Sequence, residues 1–255
     1  MSKISLIDTH AHYNSVTMDN LEEKISIANN NNNDVLKIIN VGLNNETSEE
    51  AIKISINNSK FYSTLGIHPL YDGNFSELEN LYNKYDSKKI IGIGETGIDT
   101  AGDINKQIEK FISSITLANK LKLPVIIHAN TTKDSQIYAN KLCLEIITKY
   151  KPLYGFIFHC FQPDLEILKE ILKLGGYISV GSKITQVNAK RSLEVVKTIP
   201  INNLIIETDY SFLTNEPNKT GRATFNKICE LRNIKKSLMT EKLNDNAKRL
   251  FYKLK

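Results

Sequence analysis

Residues 4–12 read Ile4-Ser5-Leu6-Ile7-Asp8-Thr9-His10-Ala11-His12, a short apolar run that ends in two histidines one residue apart. Successive side chains of a strand point to opposite faces, so residues two apart share a face. If the strand runs on through position 12, His10 and His12 aim at one point. Neutral imidazole is the commonest protein metal ligand, and two from one strand make half a site. Taken alone, the pair reads more readily as two hydrogen-bonded histidines than as metal ligands, so the remaining strand ends must decide.

The same pattern recurs along the chain. Short apolar, β-branched runs fall at Ile4–Asp8, Val35–Val41, Phe61–Gly66, Ile90–Gly94, Pro124–His128, Gly155–His159, Tyr177–Gly181 and Leu204–Asp209, each followed by a helical pattern. The clearest helix spans Ile104 to Leu121, with Ile104, Ile108, Phe111, Ile115 and Ala118 on one face. Shorter helical stretches fall at Glu166–Lys173 and Glu194–Thr198, and two more, Phe225–Leu231 and Ser237–Tyr252, follow the last strand. Eight strand-then-helix units in 255 residues is the period of a (β/α)8 barrel. A doubly wound open sheet usually has fewer strands in this length or a second domain. No Pro/Gly/Ser linker divides the chain, so a single domain over residues 1–255 is expected.

Composition narrows the class. With 41% hydrophobic and 24% charged residues the chain has the makings of a sizeable core. No apolar run approaches the roughly 18 residues that span a membrane, and the polar N-terminus carries no signal-peptide core, so a cytoplasmic protein is expected. Cys143, Cys160 and Cys229 are far apart, which gives neither a disulfide framework nor a thiolate zinc site. Cys160 follows His159, but neighbours on a strand face opposite ways, and the thiol reads as a small buried hydrophobe. The net charge of +5 comes from dispersed lysines; it is compatible with a nucleic-acid partner without specifying one. The run Asn29 to Asn33 reads as a polar helix end and loop.

Active sites of such barrels sit at the C-terminal ends of the strands. Strand one ends in His10 and His12, strand three in His68, strand four in Glu95 with Asp99 beyond, strand five in His128, strand six in His159, and strand eight in Glu207 and Asp209. The chain has five histidines, and all five fall there. That distribution favours a metal site. Gly92-Ile93-Gly94-Glu95-Thr96-Gly97 also fits the dinucleotide fingerprint. Two of its glycines lie within the strand, no helix opens directly, and Glu95 would repel a pyrophosphate; close backbone approach around a crowded site explains the glycines better. His10, His12, Glu95, His128, His159 and Asp209 suit two divalent cations (magnesium, manganese or zinc) sharing a bridging carboxylate. Two such ions roughly 3.5–4 Å apart can clamp the attacking and leaving oxygens of a displacement at phosphorus.

D-x-H-x-H, G-x-H-P, G-E-x-G-x-D, P-V-I-I-H, F-H-C-F and E-T-D follow one another in register over nearly the whole chain, which ends in Asn246-Ala247-Lys248-Arg249-Leu250-Phe251. In these motifs it resembles the TatD-type metal-dependent deoxyribonucleases, barrels of the amidohydrolase superfamily. The resemblance implies that His10, His12, Glu95 and Asp209 hold one metal and that Glu95, His128 and His159 hold the second. Asp209 would also accept a proton from the attacking water. Asp8 and Glu207 would orient ligands rather than bind metal. His68, Asp99 and Arg222 would face the substrate, and hydrolysis would proceed 3′ to 5′ on single-stranded DNA.

Several positions depart from the family pattern. Thr100 follows Asp99 where an aromatic is usual, and Ala129-Asn130 replaces a dipeptide that usually carries an arginine, a natural phosphate binder. Ser114 stands where a second helical glutamine is expected, Ser211 replaces a proline, and Arg222-Ala223 stands where R-N-x-P is usual. These changes fall on substrate-facing loops and spare the metal ligands. Two other readings therefore stay open: hydrolysis of a small ester, lactone or amide, and a non-catalytic metal-stabilised binding module. Glu95 in place of a carbamylated lysine argues against the former, and six intact ligands argue against the latter.

Overall fold

In the computed structural model, which describes residues 4–15, 19–30, 34–85, 88–136 and 138–255, strands and helices alternate throughout. Strand β1 (Leu6–Ala11) precedes α1 (Leu21–Asn29), β2 (Val35–Val41) precedes α2 (Asn45–Asn57), and β3 (Phe61–Leu65) precedes α3 (Phe75–Lys84). β4 (Ile90–Asp99) leads to α4 (Ile104–Leu121), β5 (Val125–Asn130) to α5 (Ala139–Tyr150), and β6 (Phe156–Phe158) to α6 (Leu165–Lys173). β7 (Tyr177–Val180) runs into a 3-10 turn, Ser182–Thr185, and α7 (Lys190–Thr198). β8 (Leu204–Ile206) is followed by α8 (Pro217–Arg232) and α9 (Lys236–Leu250). Part of the asparagine run, residues 31–33, lies outside the described residues.

The eight strands hydrogen-bond in chain order and in parallel, as a (β/α)8 barrel requires. Polar groups draw the two ends of the sheet together. The Asp209 N–H donates to the His10 carbonyl at 2.9 Å, and the His12 N–H donates to the Tyr210 carbonyl. Asp8 accepts from the N–H and hydroxyl of Thr208 at 3.0 and 2.6 Å. Thr9 donates its hydroxyl to the Ile206 carbonyl at 2.9 Å.

Alternation along the strands yields two apolar layers. Ile7, Ile39, Ile91, Ile126, Ile157 and Ile205 meet inside the barrel together with Phe251 and Leu254 from the segment after α9. That segment closes the N-terminal end of the barrel. The Asn246 amide donates to the Ile201 and Leu204 carbonyls at 2.6 and 2.8 Å, which ties α9 to β8. Outside the barrel, Ile93, Val125, Ile127, Phe158 and Ile178 pack on Phe111, Ile115, Leu168 and Phe225 of the helices. Side-chain caps help start these helices: Asp103 accepts from Asn105 and Lys106 at α4, and Asp164 from Glu166 and Ile167 at α6.

The strands deviate from their expected extents next to the site. β8 stops at Ile206 rather than Asp209, and β6 at Phe158 rather than His159; Asp209 and Cys160 have φ of +51° and +44°, which extended backbone does not accommodate. β4 instead continues five residues past Gly94, to Asp99. Its register against β5 shifts between Ile93 and Thr96, a bulge that takes in Glu95. Gly94 and Gly97 have φ of +140° and +141°, and a Cβ on either would collide with β5 backbone, at the Ile126 and His128 carbonyls respectively. The glycines of G-x-G-x-x-G serve this close approach.

Candidate metal centre

The C-terminal ends of the strands carry the site. His10 ends the inward face of β1 and His12 follows the strand; Glu95 lies in the β4 bulge, His128 on β5, His159 just after β6 and Asp209 after β8. Asp209 adopts φ +51°, a left-handed conformation uncommon outside glycine and found at constrained functional positions. Glu95, His128, His159 and Asp209 line a cavity of about 330 Å³, and His10 and His12 are fully buried next to Glu95 and Asp209.

Glu95 divides the donor atoms into two groups. Its Oε2 lies 3.2 Å from His10 Nε2 and 3.6 Å from His12 Nε2. His12 Nε2 is 3.0 Å from His10 Nε2 and 3.5 Å from Asp209 Oδ1. Glu95 Oε1 lies 2.6 Å from His128 Nδ1 and 2.8 Å from His159 Nε2. Nitrogen and oxygen donors bound at about 2.0–2.2 Å to one ion stand roughly 3–3.5 Å apart; three overlapping trios, His10/His12/Asp209, His10/Glu95/His159 and His68/Glu95/His128, bring their donor atoms within 4.8 Å of one another. Two nitrogens of neutral rings facing each other at 3.0 Å are also better served by a shared cation than by each other. The residues form overlapping His/Glu/Asp clusters of the binuclear divalent-metal kind and fit two ions.

The electrostatics agree with cation binding. Burial alone would raise the pKa of Glu95, but the imidazoles of His159, His10 and His68 hold it well below the usual carboxylate range. Burial likewise opposes the ionisation of Asp209, yet the His12 hydrogen bond and the charges of His159 and His10 bring it down to about 2. Both are ionised at neutral pH. His10 is pushed down by burial and by His159, which favours the neutral, ligating ring.

His68 belongs to the same neighbourhood, with Nε2 3.7 Å from Glu95 Oε1. Its Nδ1 accepts the Leu70 backbone N–H at 3.2 Å. Burial lowers its pKa to about 3. A neutral ring whose Nδ1 accepts carries its proton on Nε2, which then faces the cavity as a donor.

The expected supporting residues take distinct places. Glu207 accepts the Cys160 N–H at 2.6 Å and places its other oxygen 3.7 Å from His159 Nδ1. Asp8 bonds backbone and Thr208 at the barrel seam, and burial pushes its pKa up to about 7. Asp99, expected to face substrate, instead accepts from His128 Nε2 at 3.0 Å, the Asn130 amide at 3.1 Å and the Ala101 N–H at 2.9 Å, and it stays out of the cavity wall. A carboxylate behind a histidine in this way fixes the ring and raises its basicity. Arg222 is the clear correction. It lies in α8, and its guanidinium pairs with Asp34 at 2.6 Å, just before β2 at the opposite end of the barrel from the histidines. The helix begins at Pro217, which turns the residue away from the loop on which it was expected.

Other residues of the cavity escape the sequence motifs. Asn130, where an arginine was expected, bridges Asp99 and the Gln162 side chain, 3.0 Å away. Leu43, Leu70, Phe212 and Leu213 form an apolar rim, and the Phe212 ring stands edge-on to His12 with centroids 4.8 Å apart. Lys183, in the turn after β7, faces the same space. Each stands within a few residues of a strand end, which is the one signal that could have pointed to it.

A single eight-stranded barrel with a His/Glu/Asp centre at its C-terminal face defines a metal-dependent hydrolase of the amidohydrolase superfamily. The TatD related DNase family matches residues 7–252, and the chain belongs to that family. It is 34% identical to the uncharacterized metal-dependent hydrolase YabD of Bacillus subtilis, over 96% of this chain and 98% of that one. It is 28% identical to YjjV of Escherichia coli, over 96% and 97%. In three dimensions it resembles the crystal structure of Escherichia coli YjjV, a TatD homolog, with a TM-score of 0.86 at 24% identity over 97% and 98% of the two chains. A TatD family hydrolase from Entamoeba histolytica gives 0.80 at 19%, also over 97% and 98%. Among the described residues no helix is long and apolar enough to cross a membrane, and the three cysteines are free thiols.

Proposed function

We propose that this chain hydrolyses phosphodiester bonds of DNA, acting as a 3′-to-5′ exonuclease on single strands in the cytoplasm. The observation that carries the reading is Glu95, whose two oxygens serve two donor groups at once, His10 and His12 on one side and His128 and His159 on the other. His10, His12, Glu95 and Asp209 would hold one divalent cation, and Glu95, His128 and His159 the other. When bound, such a pair supplies Lewis acidity and a water of lowered pKa.

The chain's own groups do the rest. Asp209, ionised at neutral pH and in the cavity wall, accepts the proton of the attacking water. His68 donates its Nε2–H to a non-bridging phosphate oxygen, where charge builds during the displacement. Asp99 and Glu207 hold His128 and His159 in orientation. The half-exposed rings and side chains of Phe212 and Leu70 offer a nucleobase an apolar rest.

The test is hydrolysis of single-stranded DNA labelled at its 3′ or 5′ end, with magnesium, manganese or zinc, beside the Asp209→Asn variant. Stepwise loss from the 3′ end that needs metal and drops about 10³-fold in the variant is the expected result. Absence of cleavage by folded, metal-loaded protein would transfer the reading to a small ester, lactone or amide.

A further inference from the structure

We infer that Lys183 holds a phosphate oxygen of the substrate, taking over the positive charge that neither Asn130 nor Arg222 supplies to the cavity. This inference rests on the phosphodiester reading above. Of the described residues that line the cavity, Lys183 is the one lysine or arginine, set among the carboxylates of Glu95 and Asp209. An anionic substrate approaching those carboxylates meets repulsion that two bound cations and one fixed ammonium offset. Asn130 is neutral and committed to Asp99 and Gln162, and Arg222 is paired with Asp34 outside the cavity.

The placement is held by the fold. Lys183 sits in the 3-10 turn Ser182–Thr185, immediately after β7, and the next residue, Ile184, is buried under it. β7 and β3 lie four strands apart in an eight-stranded ring, so Lys183 faces the cavity from the wall opposite His68. The two residues are suited to grip an extended phosphate backbone from both sides of the metal centre. Lys183 and Cys160 line the same wall of the cavity. An ammonium has three donors and no acceptor, so a lysine in this wall has donors to offer an oxyanion. Burial works against the charge, and the nearby carboxylates of Glu207 and Asp209 favour it. A lysine binds phosphate in this way as a point charge on a flexible stem.

The experiment titrates inorganic phosphate by calorimetry into the full chain, both stripped with chelator and loaded with manganese, for the unmodified protein and for Lys183→Met, Lys183→Gln and Lys183→Arg. Steady-state cleavage of a thymidine oligonucleotide is measured in parallel, with circular dichroism as the fold check. Loss of one charge-assisted hydrogen bond should weaken phosphate binding about tenfold or more in the Met and Gln variants, and raise KM by a similar factor with kcat little changed. Lys183→Arg should restore most of both. Should Lys183→Met not fold, the Gln variant, close in length and polar, decides. Phosphate binding that is absent from the unmodified protein, or equal in the Met or Gln variant, overturns the assignment even if DNA is cleaved. Lys183-dependent phosphate binding without cleavage of any DNA would instead keep Lys183 as an oxyanion holder and remove the nuclease reading.

Discussion

The imidazoles of His10 and His159 lie almost parallel, with centroids 3.9 Å apart and planes 10° from each other, yet they serve different oxygens of Glu95. His10 Nε2 meets Oε2 at 3.2 Å, and His159 Nε2 meets Oε1 at 2.8 Å. One carboxylate thereby joins strands one, four and six into a single centre.

That sharing predicts the phenotype of Glu95→Gln. Glutamine keeps the shape but offers one neutral carbonyl oxygen, so it cannot serve both groups. Elemental analysis should find about two divalent ions per chain in the parent and one or fewer in the variant. An unchanged count would remove Glu95 as the bridging ligand.

His68→Gln separates two roles that geometry allows the ring. The Leu70 N–H fixes the proton on Nε2, which makes His68 a donor to substrate rather than a ligand. The variant should keep its full metal content while phosphodiester hydrolysis falls about 10²-fold. If an ion is lost with the side chain, His68 belongs to the coordination sphere beside Glu95 and His128.

Phe251 is fully buried at the N-terminal end of the barrel, among the isoleucines of the interior. Phe251→Ala should cost about 3–5 kcal/mol in urea unfolding, the range for a large core truncation. The denaturant slope should be unchanged, since the same surface is exposed on unfolding.

Glu49 provides a pH dependence remote from the metal centre. The Tyr85 hydroxyl and the Lys84 and Lys53 ammonium groups hold its pKa down to about 2, against an ordinary 4.5. A carboxyl whose pKa is depressed on folding contributes stability above its unfolded value, and that contribution drains as pH falls toward the folded one. Between pH 4.5 and 2 the parent should therefore lose stability more steeply than Glu49→Gln, by an amount that shrinks in high salt. Parallel acid titrations of the two would remove this tie between α2 and α3.

The barrel and the gathering of the five histidines were legible because strands have a period of two and barrel sites lie at strand ends. His10 and His12 face each other as that period demands. The course of β4 was not, since Gly94 lies within the bulge and Gly97 just beyond it, and a local reading takes glycine as a stop. Arg222 was misplaced because its position depends on where α8 begins, which Pro217 sets. Lys183 left no local trace: a lysine in a short turn resembles any surface lysine until the barrel closes around it.

The seam between β8 and β1 has a consequence for the life of the chain. His10 and His12 emerge early in synthesis, while Asp209 and the Thr208 partner of Asp8 emerge late. The hydrogen bonds that join the two ends of the sheet are therefore also what brings Asp209 to the histidines. A nascent chain that has reached only its seventh strand carries most of the donors and none of the closed pocket. The donor set is therefore completed by the last strand, and it is whole only when the ring closes.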